Sequence, residues 1–249
     1  MKKIEYATMA ERERTYWWHV GRLKIIETYI AHALGRARSK KSRPKLLNVG
    51  CGTGGTVNML ESFGTLDNVD ISEDAIKFMK QNGHTRVTKV KDIKLPFKDA
   101  TYDMVGAFDV LEHIDKQVDA LREWKRVIKD DGSIVLTVPA YQWMWTDHDV
   151  SLHHKRRYTI KRLKQAARQA GLVLNKKSYA VVFSLPLVAG FRFLNKVLGR
   201  KTDSETSYVD VPKWVNTFFS KLLYGEASMH KYVSFPAGTS VIAILKKER

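Results

Sequence analysis

The segment Leu46-Leu47-Asn48-Val49-Gly50-Cys51-Gly52-Thr53-Gly54-Gly55 restricts the fold of this chain more than any other stretch. A short apolar run stops in glycines, and Val57, Met59 and Leu60 then open a helical pattern. That order, strand then tight turn then helix, is the unit that holds nucleotide-like ligands in open α/β sheets. Glycine takes positive φ without steric cost and lets the backbone approach a ligand where a Cβ would collide. The helix start that follows aims unpaired N–H groups at the same place.

The remainder of the chain supplies a sheet for this unit. A second candidate strand, Leu66 to Ile71, ends at Asp70, and a carboxylate there can accept hydrogen bonds from a ribose diol. Ser72 with Glu73 and Asp74 reads as a capped helix start, and Gly83 as its stop. Thr85 to Lys91 reads as a third strand closed by Asp92, Leu95-Pro96-Phe97 as a turn, and Tyr102 to Phe108 as a buried fourth strand. A helix over Asp119–Ile128, a turn at Asp130-Asp131-Gly132 and a fifth strand over Ser133–Val138 come next. Thr159–Gly171 reads as a cationic helix, Leu172–Phe183 as a sixth strand and Ser240–Leu245 as the last. Strands that are near-continuous apolar runs, alternating with helices, specify a mostly parallel, doubly wound sheet covered on both faces. Ligands of such sheets bind beyond the carboxyl ends of the strands. Asp70, Asp92, Asp109 and the segment after Val138 all fall on that edge.

Three regions are expected: a helical cap over 1–43, a core formed by 44–183 with 235–249, and a helical insertion over 184–234 that covers an acceptor site. The aromatic run Tyr16-Trp17-Trp18-His19 serves either as an anchor to the core or as a lid over the ligand. Within the insertion, Phe191, Phe193, Leu194, Val197 and Leu198 suggest one amphipathic helix, and Val215, Phe218, Phe219, Leu222 and Leu223 a second. The longest apolar stretch, Tyr179–Phe191, contains Pro186 and falls short of the ~20 residues a bilayer span needs. The start of the chain does not read as a signal peptide, and a cytoplasmic protein is expected. Its single cysteine, Cys51, allows no disulfide within the chain and reads as a small loop residue.

Forty-three lysines and arginines against 26 acids give a formal net charge of +17. That balance favours an anionic partner such as nucleic acid, a lipid surface or a phosphorylated substrate, or else a solvated basic surface without one.

Asn48 through Gly54, Asp70, Asp92 with Leu95-Pro96-Phe97, and Phe108-Asp109-Val110-Leu111-Glu112-His113 together resemble the class I S-adenosylmethionine-dependent methyltransferases of the type 11, small-molecule branch. The resemblance implies a Rossmann-like, seven-stranded sheet with an antiparallel last strand. It implies that Asn48, Gly50, Cys51, Gly52 and Gly54 hold the methionyl part of the cofactor. It likewise places Asp70 with Ile71 at the ribose, Asp92 with Ile93 at adenine, and Phe108, Asp109 and Val110 along the cofactor's flank. Trp18 and Arg22 of the aromatic segment, and Pro139–Trp143 through Arg156–Thr159, resemble a bacterial and archaeal subgroup and add Trp18 and Arg22 to the cofactor side. Asn48 stands where such proteins often carry an acid, so the loop lacks that charge.

Methyl transfer from a sulfonium requires a nucleophile held in line in a dry pocket, and a hydroxyl nucleophile gains from a base. Candidate bases are His113, Asp147, His148 and His154, with His153 beside them. The Asp-His-Asp and His-His pairs also suit metal ions, but their spacing matches no closed site, and no metal is expected. The expected acceptor is a small molecule, lipid or glycan precursor, with peripheral contact on an anionic membrane through the insertion. The alternatives are an RNA methyltransferase using the basic cluster from Lys155 to Arg168, and a non-catalytic cofactor binder. A nicotinamide dehydrogenase fits only the spacing of Gly50, Gly52 and Gly55.

Overall fold

The structure is a computed structural model that describes residues 3–35, 43–186, 190 and 211–248. Its centre is a seven-stranded sheet: β1 (Lys45–Val49), β2 (Thr65–Asp70), β3 (Val87–Lys89), β4 (Tyr102–Phe108), β5 (Ile128–Pro139), β6 (Leu172–Ala180) and β7 (Ser240–Lys247). The strand order is β3-β2-β1-β4-β5-β7-β6, and β7 alone runs antiparallel to its neighbours. This is the doubly wound, mostly parallel arrangement that the sequence predicts. β1 lies inside the sheet, in register with β2 (Asn48 beside Asn68) and β4 (Asn48 beside Gly106).

Side-chain alternation explains why both faces are covered. Leu47, Val105, Ala107, Leu136 and Val138 point into one apolar cluster, completed by Leu121 and Trp124 of α5 (Gln117–Val127) and Leu163 of α7 (Ile160–Gln169). Leu46, Met104, Val135, Ile242 and Ile244 point into the other, completed by α2 (Trp17–Leu34), α3 (Val57–Glu61) and α4 (Glu73–Gln81). Each of the larger of these buried side chains contributes about 2 kcal/mol by leaving water. Two helix starts have the caps their sequences suggest: the Ser72 hydroxyl accepts from the Ala75 N–H at 3.3 Å and the Thr159 hydroxyl from the Arg162 N–H at 3.2 Å.

Several boundaries differ from the sequence reading. The N-terminal region forms two helices, α1 (Lys3–Thr15) and α2, broken at Tyr16. α2 is no detached cap: Ile25, Ile26, Tyr29, Ile30 and Leu34 are core residues. β3 is shorter than expected and β6 ends at Ala180, whereas β7 runs on to Lys247. β5 begins at Ile128, before the predicted turn. Asp130-Asp131-Gly132 bulge from it, between the pairs Tyr102–Ile128 and Met104–Ser133, so a turn-forming sequence is carried inside a strand.

Of the insertion, α8 (Lys213–Met229) is seen, and the helix predicted around Phe191–Leu198 lies outside the described residues. α8 packs on α2. Leu223 sits where a Cβ on Gly21 would collide, the Trp17 N–H donates to Asn216 Oδ1 at 2.8 Å, and the Thr28 hydroxyl donates to the Ala227 carbonyl at 3.3 Å. Glu226 accepts from the N–H groups of Val181 and Val182 at 2.6 and 2.9 Å, fixing the exit of β6. The face predicted to be uniformly apolar is divided: Leu223 is buried, but Phe218 and Leu222 are exposed. No helix among the described residues is long and apolar enough to cross a membrane. α6 (Asp147–Ser151) is a short helix between β5 and α7.

Candidate functional site

The glycine turn leaves β1 at the carboxyl edge of the sheet. Gly50 has φ of 72°, and a Cβ on it would lie 2.5 Å from Val110 Cγ2, so glycine is what lets the turn after β4 close against the loop. Gly52 has φ of 50°, and a Cβ there would meet nothing within 4 Å, so its backbone borders open space. Asp70 joins the loop to β2. Its Oδ2 accepts from the Gly52 N–H and its Oδ1 from the Ser72 N–H, both at 2.9 Å.

Asn48 does not reach this rim. It is buried inside the sheet, and its Nδ2 donates to Asn68 Oδ1 at 3.1 Å and Thr56 Oγ1 at 3.3 Å. Its position bears on the loop through Thr56, at the start of α3. Burial, and then the Asp70 carboxylate, push the Cys51 thiol up to about 12, so it stays a thiol at neutral pH. At the next strand ends, Ile71 is 68% exposed, a large apolar side chain left in solvent beside Asp70. Asp92 is exposed and accepts from the Lys94 N–H at 2.8 Å within its own turn, and Ile93 is partly buried against the core.

The first two helices reach over the same edge. Glu13 of α1 accepts from the Thr53 hydroxyl on the glycine loop. Burial raises its carboxyl pKa, against the opposing pull of Thr53, Arg14 and the Gly55 N–H. Arg22 of α2 is buried and pairs with both carboxylate oxygens of Asp109. It also donates to Thr137 Oγ1 at 2.6 Å and lies 4.6 Å from the Trp18 ring centroid. Its Nε is buried without a hydrogen-bond partner. Asp109 holds φ of 55°, a strained conformation for a residue other than glycine, directly after β4. His19 is nearby, its pKa lowered to about 4 by burial and then by Arg22, against the pull of Asp109. Both readings of the aromatic run therefore have residues to support them. Trp17 packs on Phe183 and Phe219, with centroids 6.0 and 5.1 Å away, whereas Trp18 and His19 stand with Arg22.

A second group forms after Asp109. Glu112, His113 and His154 each offer a ligand atom, and these atoms lie within 4.8 Å of one another. The two imidazoles meet edge to face with centroids 4.6 Å apart. Glu112 is wholly buried and neither carboxylate oxygen has a partner. Burial first, and Asp109 second, raise its pKa well above the usual carboxylate range. The His154 side is held by a buried aspartate: Nδ1 lies 2.8 Å from Asp149 Oδ1, and Arg157 donates to both oxygens of Asp149 at 2.8 and 2.9 Å. Burial alone would raise the Asp149 carboxyl, but the bonds from His154 and Arg157 outweigh it and keep the group ionised. The Lys155 N–H donates to the Glu112 carbonyl at 2.8 Å, and Arg156 to the Ile114 carbonyl at 2.7 Å, fastening 154–156 to 112–114.

The other predicted bases stand differently. His148 is half-buried, with its pKa lowered by burial, Asp147 is exposed on the first turn of α6, and His153 is exposed at φ of 57°. Of the basic cluster, Arg156 and Arg157 are engaged internally, whereas Lys161, Lys164 and Arg168 lie on the exposed face of α7.

The sequence reading gives no role to Glu13, Thr137 or the carboxylate of Glu112, and takes Asp149 only as part of an Asp-His-Asp run, not as the partner of His154. The only local signal was an acid set between Leu111 and Ile114 in an apolar run. The expectation of no metal came from linear spacing, and the ligand-type group forms across 41 residues of chain, from His113 to His154. At the other end of the rim, a cradle at Gly52, an orphaned Arg22 Nε and an uncovered Ile71 fit an adenosine cofactor that carries polar, charged and flat apolar parts.

Comparison with known proteins agrees with this geometry. The family described as Methyltransferase domain matches residues 47–136. An uncharacterized protein of Methanocaldococcus jannaschii is 34% identical over 93 residues, which are 37% of this chain and 40% of that protein. The cycloartenol-C-24-methyltransferase 1 of rice is 27% identical over 151 residues, 57% of this chain and 40% of the relative. The aligned part thus spans about two fifths of the length of these relatives. Among solved structures, a SAM-dependent methyltransferase from Archaeoglobus fulgidus superposes with a TM-score of 0.53 at 19% identity, covering 89% of this chain and 94% of the other.

Proposed function

Taking residues 47–136 as a methyltransferase domain on the class I fold, we propose that this protein transfers a methyl group from S-adenosylmethionine to a small-molecule or lipid-linked acceptor. One observation carries the reading: the matched segment brings the glycine loop, the Asp70 staple and Asp109 to one sheet edge, where Arg22 of α2, outside that segment, pairs with Asp109.

The cofactor supplies an activated methyl on a sulfonium. The Gly52 region and Glu13 would hold its methionyl part, with Arg22 Nε as a donor still available. Asp70, already oriented by two N–H groups, would take the ribose, and Ile71, Asp92 and Ile93 the adenine. Phe108, Asp109 and Val110 would form the flank. Trp18 and the α2 helix would exclude water from that side.

Acceptor activation falls to the group around His113 and His154, with His148 on the same segment and Asp147 at its outer end. Burial lowers the His113 pKa, with His154 adding to the effect, so that imidazole is neutral and able to accept a proton at neutral pH. The sterol C-24 methyltransferases among the relatives favour an apolar acceptor for this chain too. So does the exposed stripe Trp214, Phe218 and Leu222 on α8, flanked by the exposed Lys213 and Lys221. We place the protein in the cytoplasm, resting on anionic membrane through that stripe.

The test is acceptor labelling. Methyl-labelled S-adenosylmethionine is supplied with separated lipid, small-molecule and RNA fractions. Label in the organic or small-molecule fraction is expected. Label confined to an RNase-sensitive fraction would overturn the acceptor class.

A further inference from the structure

We propose that Glu112, His113 and His154 bind a first-row divalent cation at the acceptor side of the rim. Binding rests on these side chains alone, and its role in methyl transfer rests on the function proposed above.

The three ligand atoms already lie within 4.8 Å of one another. Metal–nitrogen and metal–oxygen distances of ~2.0–2.2 Å require ligand atoms ~3–3.5 Å apart, so small side-chain rotations suffice. The second observation is Glu112 itself. Its carboxylate has no exposure and no hydrogen-bond partner, whereas the other buried acids among the described residues, Asp149 and Glu226, are each bonded by two or more donors. A buried carboxylate without a counter-charge is costly, and a cation on its oxygens removes that cost.

The surroundings of His154 have the form that metal-binding imidazoles require. Asp149 accepts from Arg157 on both oxygens and from the Thr146 N–H, so it acts as an acceptor toward His154, and His154 Nδ1 carries the hydrogen of the 2.8 Å bond. The Nε2 lone pair is thereby left for a ligand bond, and the ring is fixed by a carboxylate that Arg157 and the Thr146 N–H fix in turn. Two imidazoles and one carboxylate suit manganese, iron, cobalt or zinc better than calcium or magnesium. Three protein ligands leave positions open, as catalytic sites do.

Glu112 lies three residues beyond Asp109, at the same carboxyl edge of the sheet, and we place the open position toward the acceptor. An acceptor hydroxyl oxygen taking that position loses its proton to solvent more easily. The C–O bond then forms as the methyl C–S bond breaks, and the electron pair of that bond stays on sulfur. With the cation bound, His113 and His154 serve as its ligands, and the cation takes over from His113 the activation of the acceptor hydroxyl.

The test uses the full chain stripped with chelator and titrated with manganese(II), read by loss of the free-ion electron paramagnetic resonance signal, with cobalt(II) absorption as a second probe. One ion per chain is expected. Glu112→Gln, an isosteric change that removes the ionisable ligand oxygen, and His113→Ala should each weaken binding at least ~100-fold, and Asp149→Asn ~10–100-fold. Asp70→Ala should lose S-adenosylmethionine while keeping the metal. No binding below millimolar, or binding unchanged in both Glu112→Gln and His113→Ala, would overturn the site. Metal binding without any cofactor binding would keep the site and reject the methyltransferase reading; the converse would do the opposite.

Discussion

Arg22 clasps Asp109 with two guanidinium nitrogens while reaching Thr137 with one of them, so a helix that precedes the sheet in sequence is fastened to the carboxyl ends of β4 and β5. Arg22 is nearly inaccessible, and Asp109 is about one-third exposed. Removing either partner strands the other. We expect Arg22→Met or Asp109→Asn each to cost about 2 kcal/mol, toward the low side for a buried pair because Asp109 is partly solvated. A double-mutant cycle by urea denaturation should give a coupling above ~1 kcal/mol. Additive losses would show that the pair is not energetically joined.

Placing an acid at Asn48, near the end of β1, should harm this protein. Asn48 uses its Nδ2 as a donor to Asn68 and Thr56 inside the sheet. Asn48→Asp replaces a donor by a buried acceptor facing the Asn68 carbonyl oxygen. A loss of about 2 kcal/mol is expected, or ~4–8 °C in melting temperature for a chain of this size. Calorimetric affinity for S-adenosylmethionine should not improve. A variant of unchanged melting temperature that binds the cofactor more tightly would refute this role for Asn48.

His19 gives the acid limb of the stability curve a predictable sign. Burial and then Arg22 lower its pKa from 6.5 to about 4, while Asp109 opposes the shift. Between those values the unfolded chain binds the proton and the folded chain does not. Stability due to His19 is therefore complete above pH 6.5 and is lost as pH falls toward 4. His19→Gln should flatten the decline in melting temperature over that window. An unaltered slope would mean that His19 titrates normally in the fold.

Membrane contact is tested on α8. Phe218→Asp places a charge in the exposed stripe without touching the buried Leu223. Wild-type protein should sediment with vesicles containing anionic lipid, less so at high salt, and the variant should stay in the supernatant. Equal sedimentation of the two proteins would remove the stripe from the proposal.

The sheet was legible because its signals are local. Apolar runs such as Leu46–Val49 and Tyr102–Phe108 must be buried on both faces, and glycines mark where the chain turns. Errors arose where tertiary contacts overrode local preference. Asp130-Asp131-Gly132 has turn chemistry yet interrupts a strand that continues to either side of it. Phe218 and Leu222 follow the helical period of the core yet face solvent, because α2 covers only the adjoining stripe of α8. The rim was half legible. Gly52 and Asp70 lie eighteen residues apart in the pattern expected of a strand-turn-helix unit, and they do meet. Glu13 on Thr53, Arg22 on Asp109 and His154 beside Glu112 join elements 40, 87 and 42 residues apart, and no periodicity or spacing encodes such meetings.

The central claim is that the rim built on the glycine loop and Asp70 holds S-adenosylmethionine, and titration calorimetry addresses it directly. Wild-type protein should bind the cofactor, or its demethylated product, with one site per chain and a measurable heat. Asp70→Ala should lose most of that binding while keeping its fold by circular dichroism. No heat with the folded wild-type protein, or undiminished binding by Asp70→Ala, would contradict the account.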